Sequence, residues 1–112
     1  MDVDLHWLQP YLVEVTQHLY EEGIALRTCF NINAPVGEIQ GMRWTRQCIG
    51  HWTNELNPIE ETLPEGMLKG WRLGGEFVND EPSATDTDIW AMDHQLLAIT
   101  PITIDWTAYG SL

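Results

Sequence analysis

The sequence has 112 residues, 44% of them hydrophobic, and a formal net charge of −12. This length predicts one compact domain over residues 1–112, and this apolar content excludes a disordered chain. No stretch approaches the roughly 20 apolar residues of a membrane helix, and the acidic start lacks the positive region of a signal peptide, so we expect a cytoplasmic protein without membrane contact.

A helix is predicted at the start of the chain. One apolar stripe recurs there at alternating steps of three and four residues: Leu5, Leu8, Leu12, Val15 and Leu19. Asp4 would cap this helix, unless the regular helix begins at Pro10, because proline suits the first helical turn. Gly23 is expected to end it.

Three strands and a short helical turn are expected next. Residues 24–32 alternate between apolar and polar positions as a strand does, and residues 39–53 and 67–77 are interpreted as two further strands. Asn57 and Pro58 predict one helical turn between the last two strands, because asparagine caps helices and proline suits the position after the cap.

The end of the chain predicts a second helix and a final strand. Residues 83–86 fit a capping box for a short helix within 86–97, and a strand at 87–92 is the alternative. Residues 98–109 alternate as a strand, in which Pro101 indicates an edge position or a strand start. The predicted fold class is α+β, with an N-terminal helix and, on the helical alternative, a second short helix packed on a roughly four-stranded antiparallel or mixed sheet.

The sequence contains no motif for catalysis or for a cofactor. Its glycines do not form a phosphate-binding loop, and its four histidines form no metal-binding pair. The acidic residues between 80 and 93 offer oxygen atoms that calcium prefers, but they lack the EF-hand spacing. Cys29 and Cys48 are expected to be buried thiols, and a single disulfide between them is the alternative. The sequence therefore predicts a protein that is not an enzyme and that holds neither a metal nor a cofactor.

The basic residues predict a contact surface. All five lie between positions 27 and 72, whereas the two flanking segments carry the whole net charge. Three of the six tryptophans fall in the same window, although each tryptophan by itself is expected in the core. Tryptophan and arginine are enriched at the hot spots of protein interfaces. The predicted partner-binding residues are Arg43, Trp44, Arg46, Trp71, Arg72, Asp86 and Asp88.

These features favour a non-enzymatic assembly subunit that binds copies of itself or a basic protein surface and does not bind nucleic acid directly. Its element order is loosely similar, in layout alone, to that of phage tail-terminator and head–tail joining proteins. The most concrete hypothesis is a small phage virion component that forms a ring or connector, located in the host cytoplasm or in the virion.

The alternative is a small acidic inhibitor, either a DNA mimic or a phage-encoded blocker of a host nuclease or defence complex, that occupies a basic groove. Asp86 and Asp88 would lie about 6.6 Å apart on a strand. That distance is close to two phosphate steps of about 3.4 Å along a DNA strand.

Overall fold

A computed structural model describes residues 4–111. In chain order its elements are a 3₁₀ turn at His6–Leu8, α1 (Gln9–Glu22), β1 (Thr28–Asn33), β2 (Gly41–Trp44), β3 (Gly50–Thr53), β4 (Leu56–Leu63), β5 (Gly66–Leu73), β6 (Glu76–Asn79), α2 (Asp88–Asp93), β7 (Leu96–Thr103) and a second 3₁₀ turn at Tyr109–Ser111. The predicted α+β class is confirmed. The chain divides into two compact units: unit 1 runs up to Gln47 and resumes at Thr85, and unit 2 is Cys48–Ala84. The single domain expected over residues 1–112 stays a prediction.

Unit 1 is built on a three-stranded mixed sheet in the order β1-β7-β2. The central strand β7 pairs antiparallel with β1 and parallel with β2. Both faces of β7 are buried, because Leu97, Ala98, Ile99 and Thr100 are each at most 4% exposed. Leu97 and Ile99 join Val15 of α1 in the hydrophobic core, so α1 covers one face of the sheet.

The first helix begins and ends for local reasons. Pro10 lies in its first turn, which confirms the second of the two predicted starts, since proline has no N–H that the first turn would need. Gly23 ends the helix with φ at +80°, a value that glycine adopts without steric cost. The backbone N–H of Gly23 donates to the carbonyl oxygen of Leu19 at 3.1 Å.

The second helix confirms the helical alternative but uses a different cap. Thr87 is the N-cap, and its Oγ1 accepts a hydrogen bond from the backbone N–H of Trp90 at 3.1 Å. Residues 83–86 precede the helix, so the predicted capping box is wrong. The Thr87 side chain is fully buried, as is Ala91 one turn later, so the cap fixes α2 against the sheet at a buried point.

Unit 2 consists of two antiparallel strand pairs. β4 and β5 form one hairpin, which we call the arm, and β3 pairs with β6. Gly50 of β3 lies against β6 so closely that a Cβ would overlap the Phe77 ring and the Val78 carbonyl oxygen. At the same end, Asn79 Oδ1 accepts from Cys48 Sγ at 3.3 Å, which ties the first residue of the unit to the end of β6.

Two expected elements differ from the structure for identifiable reasons. Residues 39–53 form two strands, β2 and β3, that belong to different units. The predicted helical turn at Asn57-Pro58 is wrong, because both residues lie in β4. Proline is tolerated there because β4 pairs only with β5. Pro101 is likewise tolerated in the central strand β7, because β2 pairs with β7 only as far as Ile99.

The predicted burial of the cysteine and tryptophan side chains is confirmed only in part. Cys48 is buried, as expected, whereas Cys29 is exposed. None of the tryptophans lies in the buried core, and their exposed fractions reach 67% at Trp71 and 90% at Trp106. A 112-residue chain with two small units has too little interior for side chains of this size.

Among the described helices, none is long and apolar enough to cross a membrane.

Substitution of Gly50 by alanine should destabilise unit 2. The added methyl group would overlap a backbone carbonyl, which cannot move without shifting β6, and overpacking of this kind costs about 1–3 kcal/mol. Urea unfolding followed by tryptophan fluorescence measures the loss. Gly70→Ala is the matched control, since its Cβ would lie 3.8 Å from the nearest side-chain atom of Ile59. Equal effects at the two positions would contradict the close contact at Gly50.

Substitution of Thr87 by alanine should lower the free energy of unfolding by about 1–2 kcal/mol, because it removes the N-cap of α2. Thr85→Ala, two residues earlier at an exposed position, should change it by less than about 0.5 kcal/mol. Chemical denaturation of the two variants and the parent gives both values. A Thr87→Ala protein as stable as Thr85→Ala would show that α2 does not depend on this cap.

Candidate functional site

The predicted partner-binding residues fall in both units. Five of them lie in unit 1, around the end of β2 and the start of α2: Arg43, Trp44, Arg46, Asp86 and Asp88. The other two, Trp71 and Arg72, are neighbours on β5 of the arm. The sequence therefore grouped residues from two separately packed surfaces, and each surface is described by itself below.

Arg46 and Asp86 form the joint at which α2 is attached to β2. The Arg46 Nε donates to Asp86 Oδ2 at 2.9 Å, and the Arg46 backbone N–H donates to the Asp86 carbonyl oxygen at 3.1 Å. The backbone N–H of Asp88 returns a bond to the Arg46 carbonyl oxygen at 2.9 Å. Since both side chains are more than 40% exposed, the ion pair itself contributes little, and the backbone bonds define the joint.

Arg43 and His94 both contact the indole ring of Trp90 on α2. The guanidinium carbon of Arg43 lies 4.6 Å from the centre of the Trp90 ring, and the His94 ring stacks on Trp90 with centres 3.8 Å apart. Part of the indole ring is thus covered by side chains of this chain. The four-residue spacing of Trp90 and His94 on a helix was the sequence signal for this contact.

A groove of about 400 Å³ lies between α1 and β2, with Val15 and Ile99 among its lining residues. Trp44 lines it from β2, its ring centre 6.1 Å from that of His18 on α1. Glu14 and Glu21 line the same side as His18. The volume is that of a small-molecule site, and Arg43 lines the groove as well, so its guanidinium partly offsets the charge of the two carboxylates. From sequence, His18 was expected to be a surface or hydrogen-bonded histidine that broadens the apolar stripe of the first helix.

The arm presents an apolar face. The registers Leu56↔Leu73 and Pro58↔Trp71 place these four side chains on one face of the hairpin. Leu56, Trp71 and Leu73 are 64%, 67% and 78% exposed. A two-stranded hairpin is at best marginally stable by itself in water, so an exposed apolar face on it indicates a contact surface.

The ionisable groups show little sign of a catalytic centre. Within residues 4–111, no three His, Cys, Asp or Glu side chains group closely enough to hold a metal ion. Hydrogen bonds from Thr107 and Tyr109 lower the pKa of Asp105, a partly exposed carboxyl after β7. These two bonds order the chain end around Asp105 and need no catalytic explanation.

Comparison with known proteins relates the chain to enzymes. It is 40% identical to the 5′-nucleotidase SurE of Phocaeicola vulgatus over 99% of its own length, and 36% identical to that of Bacteroides fragilis over 89%. It also resembles the crystal structure of a SurE protein from Aquifex aeolicus, with a TM-score of 0.62, 24% identity and 92% of the chain covered. No family model matches the chain.

The match covers only part of each relative. The chain spans 42% of the Phocaeicola vulgatus protein, 38% of the Bacteroides fragilis protein and 41% of the Aquifex aeolicus chain. The relatives therefore contain more than half of their residues outside the region that is similar to this chain.

These findings correct the functional hypotheses. The relatives are named as enzymes, so the predicted non-enzymatic phage virion subunit and the alternative acidic inhibitor are both wrong, as is the expectation that the protein is not an enzyme. The reason is physical: catalytic groups converge in space from distant parts of a chain, so a segment similar to two fifths of an enzyme need not carry a local catalytic motif. The acidic charge bears on solubility and partners, and it does not distinguish a subunit from an enzyme.

Proposed function

We propose that this chain forms part of a 5′-nucleotidase of the SurE kind, which hydrolyses nucleoside 5′-monophosphates to nucleoside and phosphate. The observation that carries the proposal is the 40% identity to the Phocaeicola vulgatus relative across 99% of this chain. Similarity of fold supports it less, because one fold serves many functions. A cytoplasmic location stays a prediction, as does the absence of direct nucleic-acid binding.

Three of the five basic side chains of this chain are engaged within it and do not suit a phosphate clamp. Arg46 is bonded to Asp86, and Lys69 Nζ lies 3.2 Å from a Glu60 carboxylate oxygen. Arg43 lies over an indole ring. A net charge of −12 adds a general repulsion of anions. We therefore assign the phosphate-hydrolysing groups to the part of such an enzyme that this chain does not span, and structural support of that part to this chain.

Self-association through the arm is the second element of the proposal. Trp71 is the largest side chain on the exposed apolar face of the arm, and buried tryptophans dominate the affinity of protein interfaces. Arg72, on the opposite face of the same strand, would lie at the rim. A second copy of the chain offers the same face, which fits a two-fold symmetric contact. The remaining predicted contact residues, in unit 1, stay predictions.

Nucleotidase activity is tested with a chimera. The matched region of the Phocaeicola vulgatus enzyme is replaced by this chain, and phosphate release from nucleoside 5′-monophosphates is measured. We expect a kcat/KM within about tenfold of the parent enzyme, equivalent to about 1.4 kcal/mol in transition-state free energy.

The controls are the relative with its matched region deleted and the 112-residue chain alone, and neither should release phosphate. A chimera that folds with the circular dichroism of its parent yet hydrolyses none of the substrates would refute the proposed function.

Self-association is tested by sedimentation equilibrium of the chain and of two matched variants. Trp71→Ala should weaken the dimer at least tenfold, by about 1.4 kcal/mol or more, because it removes the central side chain of the arm face. Trp106→Ala removes an indole that is 90% exposed outside the arm and should leave the dimer unchanged. A monomeric parent chain, or equal losses in the two variants, would exclude the arm contact.

A further inference from the structure

The groove between α1 and β2 has an apolar floor that reaches the hydrophobic core. Val15, Met42 and Ile99 line it, and Val15 and Ile99 are at most 4% exposed. Trp44 forms a wall from β2 and is 47% exposed, so a ligand can reach part of its ring. The volume of about 400 Å³ falls within the usual range of small-molecule sites.

Two carboxylates line the groove from the same side of α1. Glu14 and Glu21 are seven residues apart, which is almost two full helical turns, so their Cα atoms are separated by about 10.5 Å along the helix axis. Both residues are exposed. Gln17 Nε2 donates to Glu21 Oε1 at 3.0 Å, which fixes this carboxylate beside a second lining residue. The groove therefore presents two negative charges about two helical turns apart, with apolar surface beside them.

The charges of the lining side chains favour a cation. Arg43 is the one lysine or arginine among the lining residues, against the two glutamates. Its guanidinium carbon lies 4.6 Å from the centre of the Trp90 ring on α2, and Trp90 does not line the groove. The guanidinium is thus held by a residue outside the groove lining, and it offsets the two carboxylates only in part. The net charge of −12 on the whole chain adds to the attraction of cations.

We propose that this groove binds a linear aliphatic diamine, with one ammonium group paired to Glu14, the other paired to Glu21, and the methylene chain lying on the apolar floor beside Trp44. Lysine side chains behave in this way on protein surfaces, where the methylene stem covers apolar surface and the ammonium group stays in contact with water. The residues that carry the inference all belong to unit 1. The inference goes beyond the proposed function and does not depend on it.

The spacing of the two carboxylates sets the length of the diamine. An extended chain advances roughly 3.5 Å for every three bonds, so nitrogen atoms about 10.5 Å apart are separated by about nine bonds. This is the length of α,ω-diaminooctane. A single exposed ion pair contributes little to binding, whereas a second pair on a ligand that is already held forms at a high effective concentration. We therefore expect tight binding to require both ammonium groups and the full chain length.

Isothermal titration calorimetry of the full chain at low salt tests the proposal with α,ω-diaminooctane, α,ω-diaminobutane and octylamine. Octylamine has the full chain length with one charge, and diaminobutane has both charges on a chain too short to reach both carboxylates. We expect diaminooctane to bind one-to-one and at least about tenfold more tightly than either of the other amines. Equal affinities for diaminooctane and octylamine, or no saturable binding of diaminooctane, would overturn the proposal.

Glutamine variants test the role of each carboxylate. Glu14→Gln and Glu21→Gln should each weaken diaminooctane binding at least about fivefold, while octylamine binding changes less than about twofold because one carboxylate remains for its single ammonium group. Glu22→Gln is the matched control, since it removes the same charge at a neighbouring exposed position that does not line the groove. Equal losses in Glu21→Gln and Glu22→Gln would reduce the effect to general attraction by an acidic chain and would refute the site.

The apolar part of the site is tested by Trp44→Ala and by competition. Trp44→Ala, with its fold checked by circular dichroism, should weaken diaminooctane and octylamine by the same factor, because both place their methylene chains beside the ring. Competition with Mg²⁺ needs no variant. This ion is small and retains its water, so it should displace diaminooctane poorly. Displacement by Mg²⁺ as effective as that by a second portion of diamine, or unchanged affinities in a folded Trp44→Ala protein, would contradict the proposed contact with the groove.

Discussion

Burial of both faces of β7 is the constraint on which the rest of unit 1 depends. Leu97 and Ile99 form the core with Val15 of α1, while Ala98 and Thr100 are buried on the other face. Thr100 can be buried because its hydroxyl lies 2.8 Å from that of Thr45, which satisfies two polar groups at once. The short run from Leu97 to Thr100 therefore positions α1, β1 and β2 around a single strand.

The sequence predicted those elements of the fold that depend on neighbouring residues, and it mispredicted those that depend on contacts between distant residues. The stripe from Leu8 to Leu19 and the first-turn proline are local signals, and they predicted α1 with Pro10 as one of two possible starts. The helical turn predicted at Asn57-Pro58 is wrong because the same dipeptide suits both a helix start and an edge strand. Only the pairing of β4 with β5 decides between the two. The predicted burial of the tryptophans is wrong because an apolar side chain on an apolar face is buried only if another element covers it. No local sequence pattern reveals that cover.

The site was harder to predict than the fold. Sequence composition identified tryptophan and arginine in one window, yet Arg43 and Arg46 make contacts within unit 1 while Trp71 lies exposed on the arm. The window was continuous in sequence but divided between two units in space. The wrong expectation that the protein is not an enzyme has a related origin, because the absence of a local catalytic motif excludes an enzyme only if all catalytic groups lie within these 112 residues. Because this chain spans about two fifths of its relatives, that condition cannot be assumed.

The joint between Arg46 and Asp86 has a consequence for how such proteins diverge. Unit 2 leaves the sheet after Gln47 and returns at Thr85, between two residues whose backbones are already hydrogen-bonded neighbours. Lengthening an insertion whose ends are held together costs little, about 0.6 kcal/mol for each doubling of its length. Natural selection can therefore lengthen or shorten the arm, or replace its exposed side chains, without changing the sheet of unit 1. If the arm carries the proposed self-association, quaternary structure is then free to evolve faster than the fold of unit 1.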